Sequence, residues 1–197
     1  MLKKIGLLLV CAVSAFAMHN IELNVNNKDL EFTAKLDMGQ FNDSIEPDTV
    51  FIGAKILHGS ENHSDFEASE DIHDYTEMNF LMNRNIGDTG VKIGLGLKVN
   101  YTENFLAIPL GVEASYQMPF LTDILPMHLG VLLYYAPDVL SMNDAKNFLE
   151  YRAEFDAEVI TNAHIIIGYR NLDTNYDDSR GNINYNRSPY IGFKFAF

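Results

Sequence analysis

An all-β fold, an antiparallel up-and-down barrel of about ten strands with eight as the smaller count, is predicted by three features of the sequence. The first is strict alternation: in FLEYRAEFDAEV, Phe148 to Val159, the residues Leu149, Tyr151, Ala153, Phe155, Ala157 and Val159 alternate with Glu150, Arg152, Glu154, Asp156 and Glu158. A helix would scatter that charge around its circumference, whereas a strand sorts it to one face. The second is that no segment after Ala17 has a helical period. The third is the ending GFKFAF, in which Gly192, Phe195 and Phe197 set out a Gly-x-x-aromatic-x-aromatic pattern.

The N-terminal segment stands apart from this pattern. Lys3 and Lys4 precede the apolar run Ile5 to Val13, and Ala15-Phe16-Ala17 supplies the small-x-small pattern that a signal peptidase cuts. The run is too short for the roughly 20 residues a bilayer-spanning helix needs. Residues 1–17 therefore read as a secretory signal peptide, with Ala15 and Ala17 marking cleavage, and residues 18–197 as one barrel domain. Cys11 is the single cysteine and lies in this segment, so the mature chain has no thiol chemistry; a lipoprotein reading of LLVC is a poor alternative, because Val10 stands where a small residue is wanted and the apolar run continues past the cysteine.

Loss of Lys3 and Lys4 takes the formal charge from -13 to -15. Such a surface repels nucleic acid and anionic lipid, and no basic stripe interrupts it. Mean hydropathy near zero, with no helix-length apolar segment, excludes a helical membrane protein but not a barrel, whose strands are only half apolar.

Along the chain, alternation places strands at about 19–26, 30–38, 50–58, 75–83, 90–101, 105–118, 126–136, 148–160, 163–171 and 186–197. Ile21, Leu23 and Val25 pair by hairpin with Leu30, Phe32, Ala34, Leu36 and Met38. Ile52, Ala54 and Ile56 alternate with Gly53 and Lys55, and Met78, Phe80 and Met82 with Asn79 and Asn83. The clearest central run is Val91 to Tyr101, with Lys92, Gly94, Gly96, Lys98 and Asn100 on the opposite face. Leu106 to Met118 faces Pro109, Gly111, Glu113, Ser115 and Gln117, and Met127 to Tyr135 faces His128 and Gly130. Thr161 and Asn162 turn the chain into Ala163, Ile165, Ile167 and Tyr169, opposed by His164, Gly168 and Arg170.

Two architectures satisfy this periodicity: a soluble periplasmic barrel or sandwich with its apolar stripes inward around an apolar ligand, and a membrane barrel with the stripes outward. Three observations favour the membrane barrel. Gly53, Gly94, Gly96, Gly111, Gly130, Gly168 and Gly192 share the polar face, where a narrow lumen needs small residues to admit Lys, Arg and Glu. With a periplasmic N-terminus, the long polar loops 59–74, 137–147 and 172–185 all turn outside, although 39–49 is long on the other side. The ending also suits the signal read by the barrel-assembly machinery. Tyr116, Tyr135, Tyr151 and Tyr169 then face lipid or a neighbouring subunit.

The segments YYAPD at 134–138, YRAEFDAEV, IIIGYRNLD at 165–173, SPYIGFKFAF and VKIGLGLKV at 91–99 resemble the YfaZ-type outer-membrane proteins of Gram-negative bacteria. The resemblance is strongest in the C-terminal third. It implies a small outer-membrane barrel, porin-like, set in outer-membrane lipid and without established chemistry.

Candidate chemistry is sparse. The acidic loop 59–74, with His58 at its edge, carries His63 and His73 among carboxylates that could hold Ca²⁺, Zn²⁺ or Ni²⁺, but its spacing matches no EF-hand or zinc pattern and a solvated acidic loop is the commoner explanation. His128 and His164 share the lumen stripe, with Glu150 or Glu158 as possible partners, yet no nucleophile motif accompanies them. No catalytic, cofactor or metal residue is assigned, and the chain reads as a non-enzyme. The interior stripe is the informative feature. Lys92, Lys98, Arg152, Arg170 and Lys194 face Glu113, Glu150 and Glu154, and opposite charges in a narrow lumen should pair because an unpaired one is costly. The function this predicts is either a narrow channel for small polar solutes or a structural surface barrel closed by salt bridges.

Overall fold

The structure, a computed structural model, describes residues 20–59, 74–119, 125–143, 145–176 and 181–196. Ten strands form the wall: β1 Asn20–Val25, β2 Asp29–Asp37, β3 Val50–Gly59, β4 Tyr75–Asn85, β5 Val91–Tyr101, β7 Leu110–Gln117, β8 Met127–Ala136, β10 Ala145–Ile160, β11 Ala163–Tyr176 and β12 Asn182–Ala196. Two short strands, β6 Leu106–Ala107 and β9 Ser141–Met142, pair with each other beside the wall. Each long strand pairs antiparallel with the next, and β1 closes the ring on β12 from Asn20 against Ala196 to Val25 against Ile191. Closure leaves no free edge along the wall.

Alternation decides which side chains line the lumen. Leu23 on β1, Phe32 on β2, Ile56 on β3, Met78 on β4, Leu95 on β5, Val112 on β7, Val131 on β8, Val159 on β10, Ile167 on β11 and Phe193 on β12 all point out of the ring. Leu95 is 66% exposed and Phe195 50%, whereas Glu31, Glu150 and Arg170 are fully buried inside. An inward-facing greasy cavity is thereby excluded, and with it the soluble ligand-binding barrel. An apolar belt contributed by every strand has hydrocarbon as its natural solvent.

The interior glycines have a more specific role than the sequence suggests. A Cβ on Gly96 would lie 1.9 Å from the Tyr134 hydroxyl, and one on Gly168 would lie 2.3 Å from the Tyr190 ring. Gly192 and Gly53 likewise make way for Asn24 and Asn79. The space is taken chiefly by tyrosine and asparagine, and among the described glycines only Gly130 lies against a carboxylate side chain, that of Glu154.

Two strand boundaries differ from the sequence reading. Residues 105–118 form two strands because Pro109 has no N–H to donate; its carbonyl still accepts from Lys98 N at 3.0 Å, and the preceding β6 peels toward β9. At the far end, 145–147, 172–176 and 182–185 are strand, although their Asn, Asp and Thr content reads as loop. These residues extend β10, β11 and β12 beyond the rest of the wall, so the connection 177–181 is short. The long-loop asymmetry is therefore smaller than predicted, and at that end it rests mainly on 60–74.

A Leu95→Lys substitution should destabilise the folded barrel in phospholipid vesicles by about 2–4 kcal/mol, the cost of a lysine facing mid-bilayer. Urea titration read by the heat-sensitive gel shift of the folded form measures this. An unchanged midpoint would mean that Leu95 does not face lipid.

Candidate functional site

The lumen is filled in layers. Deepest in the stack, Lys55 and Lys98 alternate with Glu77 and Glu150 in a closed ring. Lys55 Nζ lies 2.6 Å from Glu77 and 3.0 Å from Glu150; Lys98 Nζ lies 3.3 Å from Glu77 and 2.6 Å from Glu150. Each ion touches both opposite charges, and all four side chains are buried. The Tyr134 ring sits 4.0 Å from Lys98 Nζ, while its hydroxyl donates to Glu113 at 2.7 Å.

Beside this ring, Glu31 is shared by two guanidiniums. Arg152 Nη2 reaches its carboxylate oxygens at 2.8 and 2.7 Å, and Arg170 Nη1 lies 2.8 Å from Oε2. Arg152 also contacts Glu22 at 3.4 Å, and Arg170 donates from Nε to Asn186 at 2.9 Å. The Tyr190 ring lies 5.3 Å from both guanidinium carbons, and its hydroxyl donates to Glu154 at 3.1 Å. Glu31 accepts from Arg152 and Asn24, and Glu77 from Asn79 and Tyr75, the kind of pairing that allows charge to persist away from water.

Toward the long-loop end the charges give way to an apolar stopper. Thr102 Oγ1 accepts from Phe105 N at 3.1 Å and tightens the turn after β5, which sends Phe105 into the lumen. Phe105 packs on Phe148 with ring centroids 5.5 Å apart and on Tyr185 at 5.1 Å; Tyr75 stacks on Phe148 at 6.4 Å. Leu57, Leu172, Tyr176 and Ile183 complete the cluster, and the Tyr176 and Tyr185 hydroxyls hydrogen-bond to each other. The extended ends of β11 and β12 supply Leu172, Tyr176, Ile183 and Tyr185, with a register shift between Leu172 and Asp173 that turns Tyr185 inward alongside Asn186.

Toward the short-turn end the lumen holds a cavity of about 80 Å³, whose lining includes Asn83, Lys92, Glu113, Ser115, Arg152 and Glu154. At the rim, Asp156 Oδ1 meets His128 Nδ1 and His164 Nδ1, each at 3.0 Å, while Lys194 bonds its other oxygen.

A family model described as YfaZ precursor matches residues 3–197. The chain belongs to the YfaZ family. No curated protein matches it. Among solved structures it is similar to a KdgM porin at 8% identity, with a TM-score of 0.46, over 90% of this chain and 98% of that one. Family, closed ring and apolar exterior make this YfaZ-family chain an exported barrel of the outer membrane that sits in lipid.

Within this YfaZ-family barrel, Lys98 and Glu150 meet directly, and Arg152 and Arg170 meet through Glu31. Lys194 pairs with Asp156, Glu113 lies 3.9 Å from Lys35, and Lys92 and Glu154 line the cavity. Gly192 lies beneath Asn24, and Phe195 faces outward. Ala15, Ala17 and Phe197 lie outside the described residues, as does most of the acidic loop; at its edges His58 and Asp74 hydrogen-bond to each other in solvent.

Two expected pairings differ. Glu158 caps the β10–β11 turn by accepting from Asn162 N at 2.8 Å, and the histidines are met by Asp156 rather than by Glu150 or Glu158. Sequence reasoning overlooked Glu77, Asp29, Tyr134 and Tyr190. Each shares the parity of polar or glycine neighbours, Asn79 for Glu77 and Gly192 for Tyr190, so the signal was present in the alternation.

Glu150→Ala leaves Lys55 and Lys98 with one carboxylate between them and should lower stability by about 3–5 kcal/mol, as for other broken buried pairs. Adding Lys98→Met, which restores the balance around the remaining Lys55–Glu77 pair, should recover part of that loss. Urea unfolding of both variants checks this. A single-variant loss no larger than that of a surface pair, about 1 kcal/mol or less, would show that the ring is solvated.

Proposed function

We propose that this is a stoppered structural barrel of the outer membrane, non-conducting at rest and non-catalytic. The ring of Lys55, Glu77, Lys98 and Glu150 carries the reading: four mutually satisfied, buried charges block the lumen, and the aromatic stopper lies on the loop side of them. A solute crossing here would have to break buried ion pairs, each costly to separate. The non-catalytic reading is supported by the surroundings of the histidines. His128 is paired across the sheet with Asp156 and Gln117, and His164 with Glu158 and Lys194, so no cross-strand partner offers a hydroxyl nucleophile.

The short-turn cavity favours one second reading, a narrow channel that opens when the stopper moves. Planar-bilayer recording separates the two. The refolded wild-type should give no current steps above background, and Phe105→Ala with Phe148→Ala should introduce them. Steps in the wild-type would replace the structural reading with the channel.

Export is read as cleavage after Ala17, and insertion as recognition of β12 by the barrel-assembly machinery. Ile191, Phe193 and Phe195 support the latter by forming one outward apolar row on the last strand. Intact mass of the membrane-extracted protein should begin at Met18, and Phe195→Ala should reduce the heat-modifiable fraction in outer membranes. An uncleaved mass, or undiminished assembly, would count against the corresponding step.

A further inference from the structure

We infer that His128, Asp156 and His164 form a binding site for a borderline divalent transition ion, Zn²⁺ being the best fit, at the short-turn rim of the lumen. Three adjacent strands build it. Asp156 on β10 stands directly opposite His128 on β8, and His164 on β11 stands one step down, opposite Glu158. Alternation sends all three side chains into the ring.

The geometry is that of ligands gathered around a point. Both imidazoles aim Nδ1 at the same carboxylate oxygen, Oδ1, at 3.0 Å each, and the three donor atoms lie within 4.8 Å of one another. Tetrahedral zinc with bonds of about 2.0 Å separates its ligands by about 3.3 Å, so the Nδ1–Oδ1 spacings need to open by only a few tenths of an ångström. Lys194 Nζ engages the other oxygen, Oδ2, which orients the carboxylate and leaves Oδ1 as a single-oxygen ligand.

Two neutral imidazoles and one carboxylate suit zinc, nickel or copper rather than calcium or magnesium. With three protein ligands, a fourth position is left for water or an incoming group. Access is built in: the side chain of His128 is 30% exposed and that of His164 10%, whereas Asp156 is 7% exposed and held beneath them. As ligands, the rings carry their proton on Nε2 and offer the Nδ1 lone pair, so coordination replaces the two hydrogen bonds to Oδ1 by three metal bonds, two to imidazole nitrogen and one to Oδ1. The site does not depend on whether the lumen conducts.

The test uses the full mature barrel in detergent, purified without a histidine tag, loaded with Zn²⁺, dialysed and assayed for metal content. Co²⁺ added to the apo protein gives a parallel visible spectrum. The wild-type should retain one zinc per chain and give the intense bands of a tetrahedral cobalt site. His128→Gln with His164→Gln should abolish both. Asp156→Asn should weaken binding by at least the about 10- to 100-fold that loss of an outer-shell partner costs. His58→Gln, His63→Gln and His73→Gln together should change neither, since they lie in the acidic loop or at its edge on β3. Absence of zinc and of cobalt bands in the wild-type overturns the site whether or not a variant folds. Equal retention by the His128/His164 double variant overturns it in favour of another locus.

Discussion

Ten strands that close on one another oblige every side chain in the wall to choose between hydrocarbon and a lumen barely wider than side chains can fill. Most of the architecture follows from that confinement. Charges barred from the outside must share a narrow interior with little water, and they persist there only when each finds opposite charge and further hydrogen bonds. The Lys55–Glu77–Lys98–Glu150 ring and the Glu31 bridge between Arg152 and Arg170 pair opposite charges at 2.6 to 3.3 Å, and Tyr75 and Asn79 add hydrogen bonds to Glu77, Asn24 to Glu31 and Asn186 to Arg170. The same groups on a solvated surface would contribute little.

Volume is the second half of the confinement. Charged side chains alone leave gaps, and the tyrosines that fill them need room on the opposing strands. Gly96 and Gly111 give way to Tyr134, and Gly168 to Tyr190. Each tyrosine then serves twice. Tyr134 presents its face to Lys98 and its hydroxyl to Glu113; Tyr190 presents its face to two guanidiniums and its hydroxyl to Glu154. Aromatic packing and charge pairing are thus one structure, since the rings both fill space and stabilise the cations.

The two ends of the lumen are chemically different. At the loop end, Phe105, Phe148 and Tyr185 exclude water and keep the charge layer desolvated, which strengthens it. At the short-turn end, the cavity and the His128–Asp156–His164 cluster remain partly open to solvent. An apolar cluster on one side and an accessible polar vestibule on the other make the two ends of the lumen chemically unequal.

Alternation in the sequence was sufficient to establish an all-β chain, most strand positions and the membership of the polar stripe, because a two-residue period is a local property of the backbone. Strand ends were less legible. Asp173, Thr174 and Asn175 read as turn formers, yet Asp173 and Asn175 are the less buried alternates of a strand whose other face, Leu172, Thr174 and Tyr176, is buried inside the barrel end. Glycine parity and the C-terminal pattern already favoured outward apolar stripes, but that Glu77 closes a ring with Lys55, Lys98 and Glu150, and that Asp156 gathers two histidines, were decided only by tertiary structure. Those contacts join residues far apart in the chain, and strand stagger around a closed ring sets which of them share a level. Local pattern carries no record of that stagger.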